Sequence, residues 1–184
     1  MIQAFRWWRL RRRLALIEVL VLDVDGVLTD GGLWFGPEGE LTKRFDVRDG
    51  LGIRLLQQAG VEVVFLSGGR GGATEIRAQQ LNIRHCIVGA KDKPIALRDL
   101  CNALGVSARQ IAFVGDDLND LAVYGHVDLL IATGDAALAL RRKAHAVLKR
   151  KGGHGAVREL AERILEAKGD WDQLRREGWR DRND

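Results

Sequence analysis

The chain has 184 residues, of which 46% are hydrophobic, and this length and composition suit one globular domain with a single core. The formal net charge is +4, but residues 1–17 hold five of the 29 basic residues and no acid, which leaves 24 basic against 25 acidic residues elsewhere. The basic character therefore lies in an N-terminal arm and argues against a nucleic-acid-binding fold. The sequence shows neither a secretory apolar region nor a run of ~18 apolar residues, and its two cysteines fit a reducing compartment, so we expect a cytoplasmic protein.

The arm, residues 1–17, mixes aromatic side chains with its arginines: Phe5, Trp7 and Trp8. Three interpretations are open: the arm contacts an anionic membrane surface, it is a helix that packs its aromatics on a neighbour, or it is a frayed terminus. After it we expect a core domain over residues 18–168 and a polar, roughly charge-balanced tail over residues 169–184.

Apolar, strand-like runs alternate with helical patterns through the core domain. Strands are predicted at 18–22, 61–66, 84–88, 111–114, 127–131 and 146–148. Helices are predicted at 49–59, 72–81, 93–104, 118–125, 136–143 and 155–168. This alternation predicts an α/β fold with a doubly wound, mostly parallel, Rossmann-like sheet that carries helices on both faces.

The segment 33–45 interrupts the alternation with two short strands about a Pro/Gly turn, which predicts a β-hairpin. An isolated hairpin is marginally stable in water, so Trp34 and Phe35 should pack on a partner subunit or fold back on their own domain. The intervals between the polar motifs described next hold only a hairpin, single helices and strands. They leave no room for a separate cap domain.

Polar residues follow or closely trail four of the predicted strands, at the edge of a parallel sheet where ligands bind. They are Asp23 and Asp25 in LVLDVDGVLTD, Ser67 and Gly68 in VVFLSGG, Lys93 in AKDKP, and Asp116 and Asp117 in IAFVGDDLND. This set suits the transfer of a phosphoryl group, which needs an in-line nucleophile, a metal ion and donors to the phosphoryl oxygens.

Each residue type has a role in that chemistry. Asp23 is the predicted nucleophile, which would form an aspartyl-phosphate, and Asp25 is the predicted general acid and base. Mg²⁺ prefers oxygen ligands, and the predicted ones are Asp23, Asp25 through the backbone carbonyl near it, and Asp116. Phosphate needs a hydroxyl, backbone N–H groups and a positive charge, for which the candidates are Ser67, Gly68 and Lys93.

Two alternatives stand beside this interpretation. An Asp after a strand is often only a turn or N-cap residue, and each of these acids taken alone could be one. A receiver-like regulatory domain also combines a doubly wound sheet with an acidic cluster, a Ser or Thr and a Lys. In a receiver, however, the phosphorylated aspartate follows a middle strand, whereas here the DxD motif follows the first strand of the sheet.

Five motifs resemble those of haloacid dehalogenase superfamily phosphatases, and more narrowly those of the 3-deoxy-D-manno-octulosonate 8-phosphate phosphatases and their nine-carbon relatives: DVDGVLTDG, FDVRDGLGI, GAKDKP, VGDDLNDL and GGHGAVREL. The resemblance spans residues 19–167. It implies a Mg²⁺-dependent phosphatase for the octulosonate 8-phosphate of lipopolysaccharide synthesis, for a nine-carbon homologue, or for a broader range of sugar phosphates. It also implies a homotetramer in which the hairpins meet at the centre and a neighbouring subunit helps to close each site.

The remaining candidates are three arginines and two acids. Arg48 could touch substrate or pair with a surface acid, Arg158 in GGHGAVREL could meet a sugar carboxylate, and Arg70 stands one place after the arginine of the family pattern. All three are predicted substrate-binding residues. Asp49 is expected to cap the helix that begins there, and Asp120 to brace the metal ligands.

Overall fold

The computed structural model describes residues 2–180, whose strands form one six-stranded sheet and a separate hairpin. The strands are β1 (Val19–Leu22), β2 (Trp34–Phe35), β3 (Leu41–Thr42), β4 (Glu62–Leu66), β5 (His85–Ile87), β6 (Ile111–Gly115), β7 (Leu129–Ala132) and β8 (Ala146–Val147). The order in the larger sheet is β5-β4-β1-β6-β7-β8, and every neighbouring pair in it is parallel. The predicted doubly wound α/β fold is confirmed.

β1 lies in the middle of the sheet and determines where the first acidic motif falls. All four of its residues, VLVL, are buried, as expected of a parallel strand that is covered on both faces. Val19 pairs with Glu62 of β4 on one side and with Ile111 of β6 on the other. Because β1 and β6 run side by side in the same direction, the residues that follow them, Asp23 and Asp116, reach the same edge of the sheet.

The helices connect the strands and cover both faces of the sheet. In the described residues they are α1 (Ile2–Ala15), α2 (Val47–Gln58), α3 (Ala73–Gln80), α4 (Lys93–Leu104), α5 (Leu138–Lys143), α6 (Ala156–Lys168) and α7 (Trp171–Glu177). The helix predicted at 118–125 is instead a 3₁₀ segment, Leu118–Val123. Residues at both ends limit the length of this segment. At its start the Asp117 side chain accepts from the Leu118 N–H (2.7 Å), and beyond its end Gly125 has a φ of 89°, which does not continue a helix.

The core has one layer on each face of the sheet. Leu20 and Leu22 of β1 join the layer that packs on α1, α2 and α6, whereas Val19 and Val21 join the layer that packs on α4 and α5. The apolar stripe predicted for the closing helix, α6, is fully buried: Val157, Leu160, Ala161, Ile164 and Leu165.

The N-terminal arm forms α1, which packs on α6. Trp7, Leu10 and Leu14 are buried in the core, and Lys168 at the end of α6 donates to the carbonyl of Ala15 (3.2 Å). Of the three interpretations of the arm, the packing of this inner face agrees with a helix that packs aromatic side chains on a neighbouring element. Within residues 2–180, no helix combines the length and the apolar character needed to cross a bilayer.

The predicted hairpin is present as β2 and β3, an antiparallel pair in which Trp34 faces Thr42 and Phe35 faces Leu41. Both residues of β2 are exposed, Trp34 by 67% and Phe35 by 69%, so in the single chain these two side chains do not pack back on their own domain. As predicted, the connections between strands of the larger sheet, over the described part of the chain, contain no separate cap domain.

Candidate active site

A pocket of about 480 Å³ opens at the carboxyl edge of the sheet, where β1, β4 and β6 end. It is lined by most of the predicted site residues and by several of their neighbours: Asp23, Asp25, Gly26, Ser67, Gly68, Gly69, Lys91, Lys93, Asp116 and Asp117. The parallel sheet brings these side chains together, although long intervals of sequence separate them. A second cavity of about 520 Å³, near α7, contains none of the candidates.

The first acidic pair stands on a tight turn that contacts the loop of the second. Asp23 continues β1, since its N–H donates to the carbonyl of Val114 (3.0 Å). The chain then turns at Gly26, whose φ of 84° favours glycine. A Cβ atom on Gly26 would lie 1.9 Å from Asp116 Oδ2, so a side chain there would displace the Asp116 carboxylate.

Three carboxylates converge in this pocket. Oxygen atoms of Asp23, Asp116 and Asp120 lie within 4.8 Å of one another. Burial, followed by repulsion from Asp23 and Asp120, raises the pKa of Asp116 to about 8, and burial with repulsion from Asp120 also raises the pKa of Asp23. A divalent cation relieves such repulsion, and Mg²⁺ prefers oxygen ligands. The donor set therefore fits a magnesium ion.

Lys93 lies between two of these carboxylates and offsets part of their charge. It is 3% exposed, and its Nζ lies 3.1 Å from Asp23 Oδ1 and 2.5 Å from Asp120 Oδ1. Burial lowers the pKa of Lys93, but the two carboxylates more than offset this effect and raise the pKa overall. Asp120 Oδ2 also accepts from the N–H of Asp116 (2.9 Å). Because both oxygens of Asp120 are engaged, Asp23 and Asp116 are the better cation ligands, and Asp120 is placed to brace them.

Lys43, just after β3 at the base of the hairpin, is a site residue that the sequence analysis missed. Its side chain is 2% exposed, and its Nζ lies 2.7 Å from Asp25 Oδ1 and 2.9 Å from Asp25 Oδ2. It also donates to Thr74 Oγ1 (3.3 Å). The hairpin thus brings a buried ammonium group onto the predicted acid–base residue. In the sequence LTKRF no local signal distinguishes Lys43 from the exposed Arg44 beside it.

Ser67 and the two glycines after it line the pocket at the end of β4. The N–H of Ser67 donates to Ile87 (2.8 Å), and its Oγ accepts from the N–H of Gly69 (3.0 Å). A Cβ atom on Gly69 would lie 3.0 Å from Asp25 Oδ2, which keeps this backbone close to the acid–base residue. Lys91 adds a positive charge at the rim, where its Nζ donates to the carbonyl of Gly68 (3.0 Å).

The three predicted substrate-binding arginines lie outside the lining of this pocket in the single chain. Arg48 pairs with Asp46 (2.5 Å), an acid that is buried and not on the surface. Arg158 bonds Glu162 (2.7 Å) and lies over the ring of Trp171. Arg70 is exposed. Substrate binding by these side chains remains a prediction.

The prediction that Asp49 caps the helix in which it lies, α2, is wrong, because Asp49 caps α6 instead. α2 begins at Val47, and its N-cap is Asp46, whose side chain accepts from the N–H of Arg48 (2.8 Å). Asp49, 1% exposed, instead accepts from the N–H groups of Gly155 (3.1 Å) and Arg158 (2.8 Å) at the start of α6. Burial raises the pKa of Asp49 to about 6.

Comparisons with known proteins agree with this site. The family model described as haloacid dehalogenase-like hydrolase matches residues 40–123. The 3-deoxy-D-manno-octulosonate 8-phosphate phosphatase of Yersinia pestis is 44% identical over 154 residues, 84% of this chain and 82% of that protein. That of Escherichia coli K12 is 41% identical over 159 residues, 86% and 85% of the two chains.

A solved structure extends the likeness to three dimensions. The 3-deoxy-D-manno-octulosonate 8-phosphate phosphatase of Moraxella catarrhalis, in complex with magnesium, phosphate and a KDO molecule, is 34% identical to this chain. The two superimpose with a TM-score of 0.88, over 91% of this chain and 97% of that one. The pocket, the sequence relatives and the shared fold lead to one assignment. The chain belongs to the haloacid dehalogenase-like hydrolases, and within that family it is a phosphatase related to the 3-deoxy-D-manno-octulosonate 8-phosphate phosphatases.

Proposed function

We propose that this phosphatase hydrolyses 3-deoxy-D-manno-octulosonate 8-phosphate through a covalent intermediate on Asp23. The observation that carries the proposal is the convergence of Asp23, Asp25, Lys93 and Asp116 in one pocket at the carboxyl edge of the sheet. The choice of substrate rests on the relatives of that name, which are 44% and 41% identical to this chain.

The enzyme uses Mg²⁺, and the magnesium ion in the Moraxella catarrhalis structure supports this. Asp23 and Asp116 would hold the ion with their carboxylates, and the backbone carbonyl near Asp25 would complete the protein's share of the ligands. When bound, the ion offsets negative charge on the phosphate and on the carboxylates around it.

The protein's own groups perform the two chemical steps. A carboxylate oxygen of Asp23 forms a bond to phosphorus while the bond from phosphorus to the sugar oxygen breaks, and the electron pair leaves with that oxygen. Asp25 donates a proton to the departing oxygen. It then takes a proton from a water molecule that attacks the aspartyl-phosphate, which releases phosphate and restores Asp23. Lys93, 3.1 Å from Asp23 Oδ1, favours the ionised form of the nucleophile.

The donors to the phosphate oxygens line the same pocket. The hydroxyl of Ser67, the backbone N–H of Gly68 and the ammonium group of Lys93 are the proposed phosphate contacts. The rim lysine, Lys91, adds positive charge that favours the substrate, which carries a phosphate dianion as well as its carboxylate, over the singly charged sugar-acid product.

We propose a homotetramer built around the hairpins. The first strand of the hairpin and the residue before it expose three large apolar side chains, and a fourth lies exposed at the start of α2: Leu33, Trp34, Phe35 and Val47. Such a cluster is costly to leave in water and suits burial between subunits. Light scattering on the wild type and on Trp34→Ser/Phe35→Ser tests this, and an unchanged molar mass for the variant would contradict it.

The assembled oligomer is also where the predicted arginines would act. Arg158 would reach a sugar carboxylate only if a subunit contact reorganises the start of α6, since in the single chain it is bonded to Glu162. Replacement by alanine should raise KM for an acid-sugar phosphate far more than for an aryl phosphate. Equal effects on both substrates would reject the role.

A panel of phosphorylated sugars tests the substrate. We expect kcat/KM for the octulosonate 8-phosphate to exceed that for a nine-carbon 3-deoxy sugar-acid 9-phosphate and for hexose 6-phosphates. The reverse order would favour the nine-carbon or broad-range alternative. The receiver-like alternative predicts no catalytic turnover at all, and Asp23→Asn is the matched control.

The free Cys86 and Cys101 support a cytoplasmic location for the enzyme, which cell fractionation tests.

A further inference from the structure

Helix α1 carries aromatic side chains on two opposite faces, and only one of these faces packs on the core. Trp7, Leu10 and Leu14 face the core and are buried. On the opposite side, Phe5, Trp8, Arg9 and Arg12 stand at positions i, i+3, i+4 and i+7, which lie on one face of a helix. We call these four residues the outer face of α1.

The outer face exposes aromatic surface that contributes nothing to the core. Phe5 is 59% and Trp8 70% exposed, and their rings stack on each other at 5.9 Å. The guanidinium of Arg9 lies over the Phe5 ring. Leu16, 65% exposed, extends the same side just beyond the end of the helix. Exposed apolar patches next to charged residues mark interaction sites on protein surfaces.

The charge on α1 itself has one sign, and an acid of α6, Glu166, lines a small cavity together with Trp8 and Arg11. Two of the five arm arginines are bonded to the body of the protein, Arg6 to the carbonyl of Ala144 (3.2 Å) and Arg13 to Asp128 (2.9 Å). The other three, Arg9, Arg11 and Arg12, are exposed, and residues 1–17 contain no acid. A partner of this face must therefore be negatively charged and must also accept aromatic side chains.

We propose that the outer face of α1 docks on the surface of an anionic phospholipid bilayer. Tryptophan and phenylalanine rings favour the boundary between headgroups and acyl chains, and arginines beside them bind the headgroup phosphates. Because α1 lies flat on the body of the protein, its outer face is convex and can meet the flat surface of a bilayer. None of the residues that line the catalytic pocket lies in α1, so docking leaves the pocket accessible.

A second copy of the chain fits this face less well. In a two-fold contact the same patch meets itself, so Arg9 and Arg12 of one copy would approach those of the other. Like charges without an intervening acid oppose such a contact. The bilayer supplies the negative charge that a second outer face lacks.

Sedimentation of the full-length enzyme with lipid vesicles tests the proposal. Vesicles in which about a third of the lipid is phosphatidylglycerol should bind the wild type, vesicles of phosphatidylcholine alone should not, and added salt should weaken binding. The double variants Phe5→Gln/Trp8→Gln and Arg9→Gln/Arg12→Gln should each bind at least about tenfold more weakly. The matched control, Arg141→Gln/Arg142→Gln, removes two exposed arginines from α5 and should bind like the wild type.

Phosphatase activity in solution is the folding check, since none of the substituted side chains lines the pocket. The proposal is overturned if the wild type does not sediment with anionic vesicles, or if it binds neutral vesicles equally well. It is also overturned if the α5 control loses as much binding as the α1 variants, because net charge alone would then explain the attraction. If the α1 variants instead lower the molar mass measured by light scattering, the outer face is a contact between copies and the proposal is wrong.

Discussion

The ion pair between Lys43 and Asp25 predicts a specific defect when the lysine loses its charge. Lys43→Met keeps the length of the side chain and removes the ammonium group that lies 2.7 Å and 2.9 Å from the two carboxylate oxygens. The attraction acts on the ionised carboxylate, so Lys43 stabilises Asp25 as it gives up its proton. Without that positive charge, proton transfer to the departing oxygen should slow.

The geometry sets the size of the effect. At 2.7 Å and an effective dielectric constant of ~20, the Coulomb attraction is about 6 kcal/mol. Desolvation of the lysine, 2% exposed, and screening at Asp25, 33% exposed, reduce the net value to about 2 to 3 kcal/mol. A loss of that size at the transition state lowers the rate by about 10²-fold, which is within the usual range for general acid catalysis.

The assay is kcat/KM, which reports the steps up to phosphoryl transfer to Asp23. A sugar phosphate has an alkoxide leaving group that needs the proton of Asp25, so its kcat/KM should fall by about 10²-fold. The p-nitrophenolate of an aryl phosphate leaves without a proton, so its kcat/KM should fall by less than about tenfold. Lys168→Met, which removes a lysine bonded to Ala15 at the far end of α6, is the control and should change neither value. Equal losses for both substrates would refute the reasoning, since a general packing defect would slow both alike.

Three further predictions concern the site and its supports. Asp120→Asn removes the negative charge that faces Lys93 and weakens the hydrogen bond that holds Asp116. Mg²⁺ titrations of activity should therefore give an apparent Kd for Mg²⁺ raised by at least about tenfold, and an unchanged Kd would contradict the bracing role. Gly26→Ala would place a Cβ atom 1.9 Å from Asp116 Oδ2, so activity should be lost while circular dichroism stays near that of the wild type; near-normal turnover would be the contrary result. The pKa of Asp49 is raised in the folded protein to about 6, so the stability linked to its protonated form is present below pH ~4 and is lost as pH rises through 6. Relative to Asp49→Asn, the free energy of unfolding of the wild type should fall by about 2 kcal/mol between pH 4 and pH 7 in urea titrations, and a constant difference would contradict the shift.

The fold and the centre of the site were predictable because they depend on local patterns. Runs such as the VLVL of β1 are apolar without interruption, and only a strand buried on both faces requires that. Once such strands are parallel, residues just after them must share an edge, which places Asp23 beside Asp116. Lys93 follows from the same rule, since it begins the helix after β5.

The missed features depend on contacts between distant residues. Lys43 reaches Asp25 only because the base of the hairpin lies beside the first acidic motif, and a two-residue strand carries no pattern that reveals which of its neighbours is buried. Asp49 was assigned to its own helix, whereas its hydrogen-bond partners lie more than a hundred residues away at the start of α6. The 3₁₀ segment at Leu118–Val123 has a helical composition, and the hydrogen bonds around it rather than its composition decide its form.

Trapping of the covalent intermediate tests the central claim most directly. The wild-type enzyme is mixed with 3-deoxy-D-manno-octulosonate 8-phosphate and Mg²⁺, quenched in acid within one turnover, and its peptides are analysed by mass spectrometry. We predict a phosphoryl group on Asp23, sensitive to hydroxylamine as an acyl phosphate is, and absent both from Asp23→Asn and from samples treated with EDTA. A phosphoryl group on another residue, or full turnover by Asp23→Asn, would contradict the account.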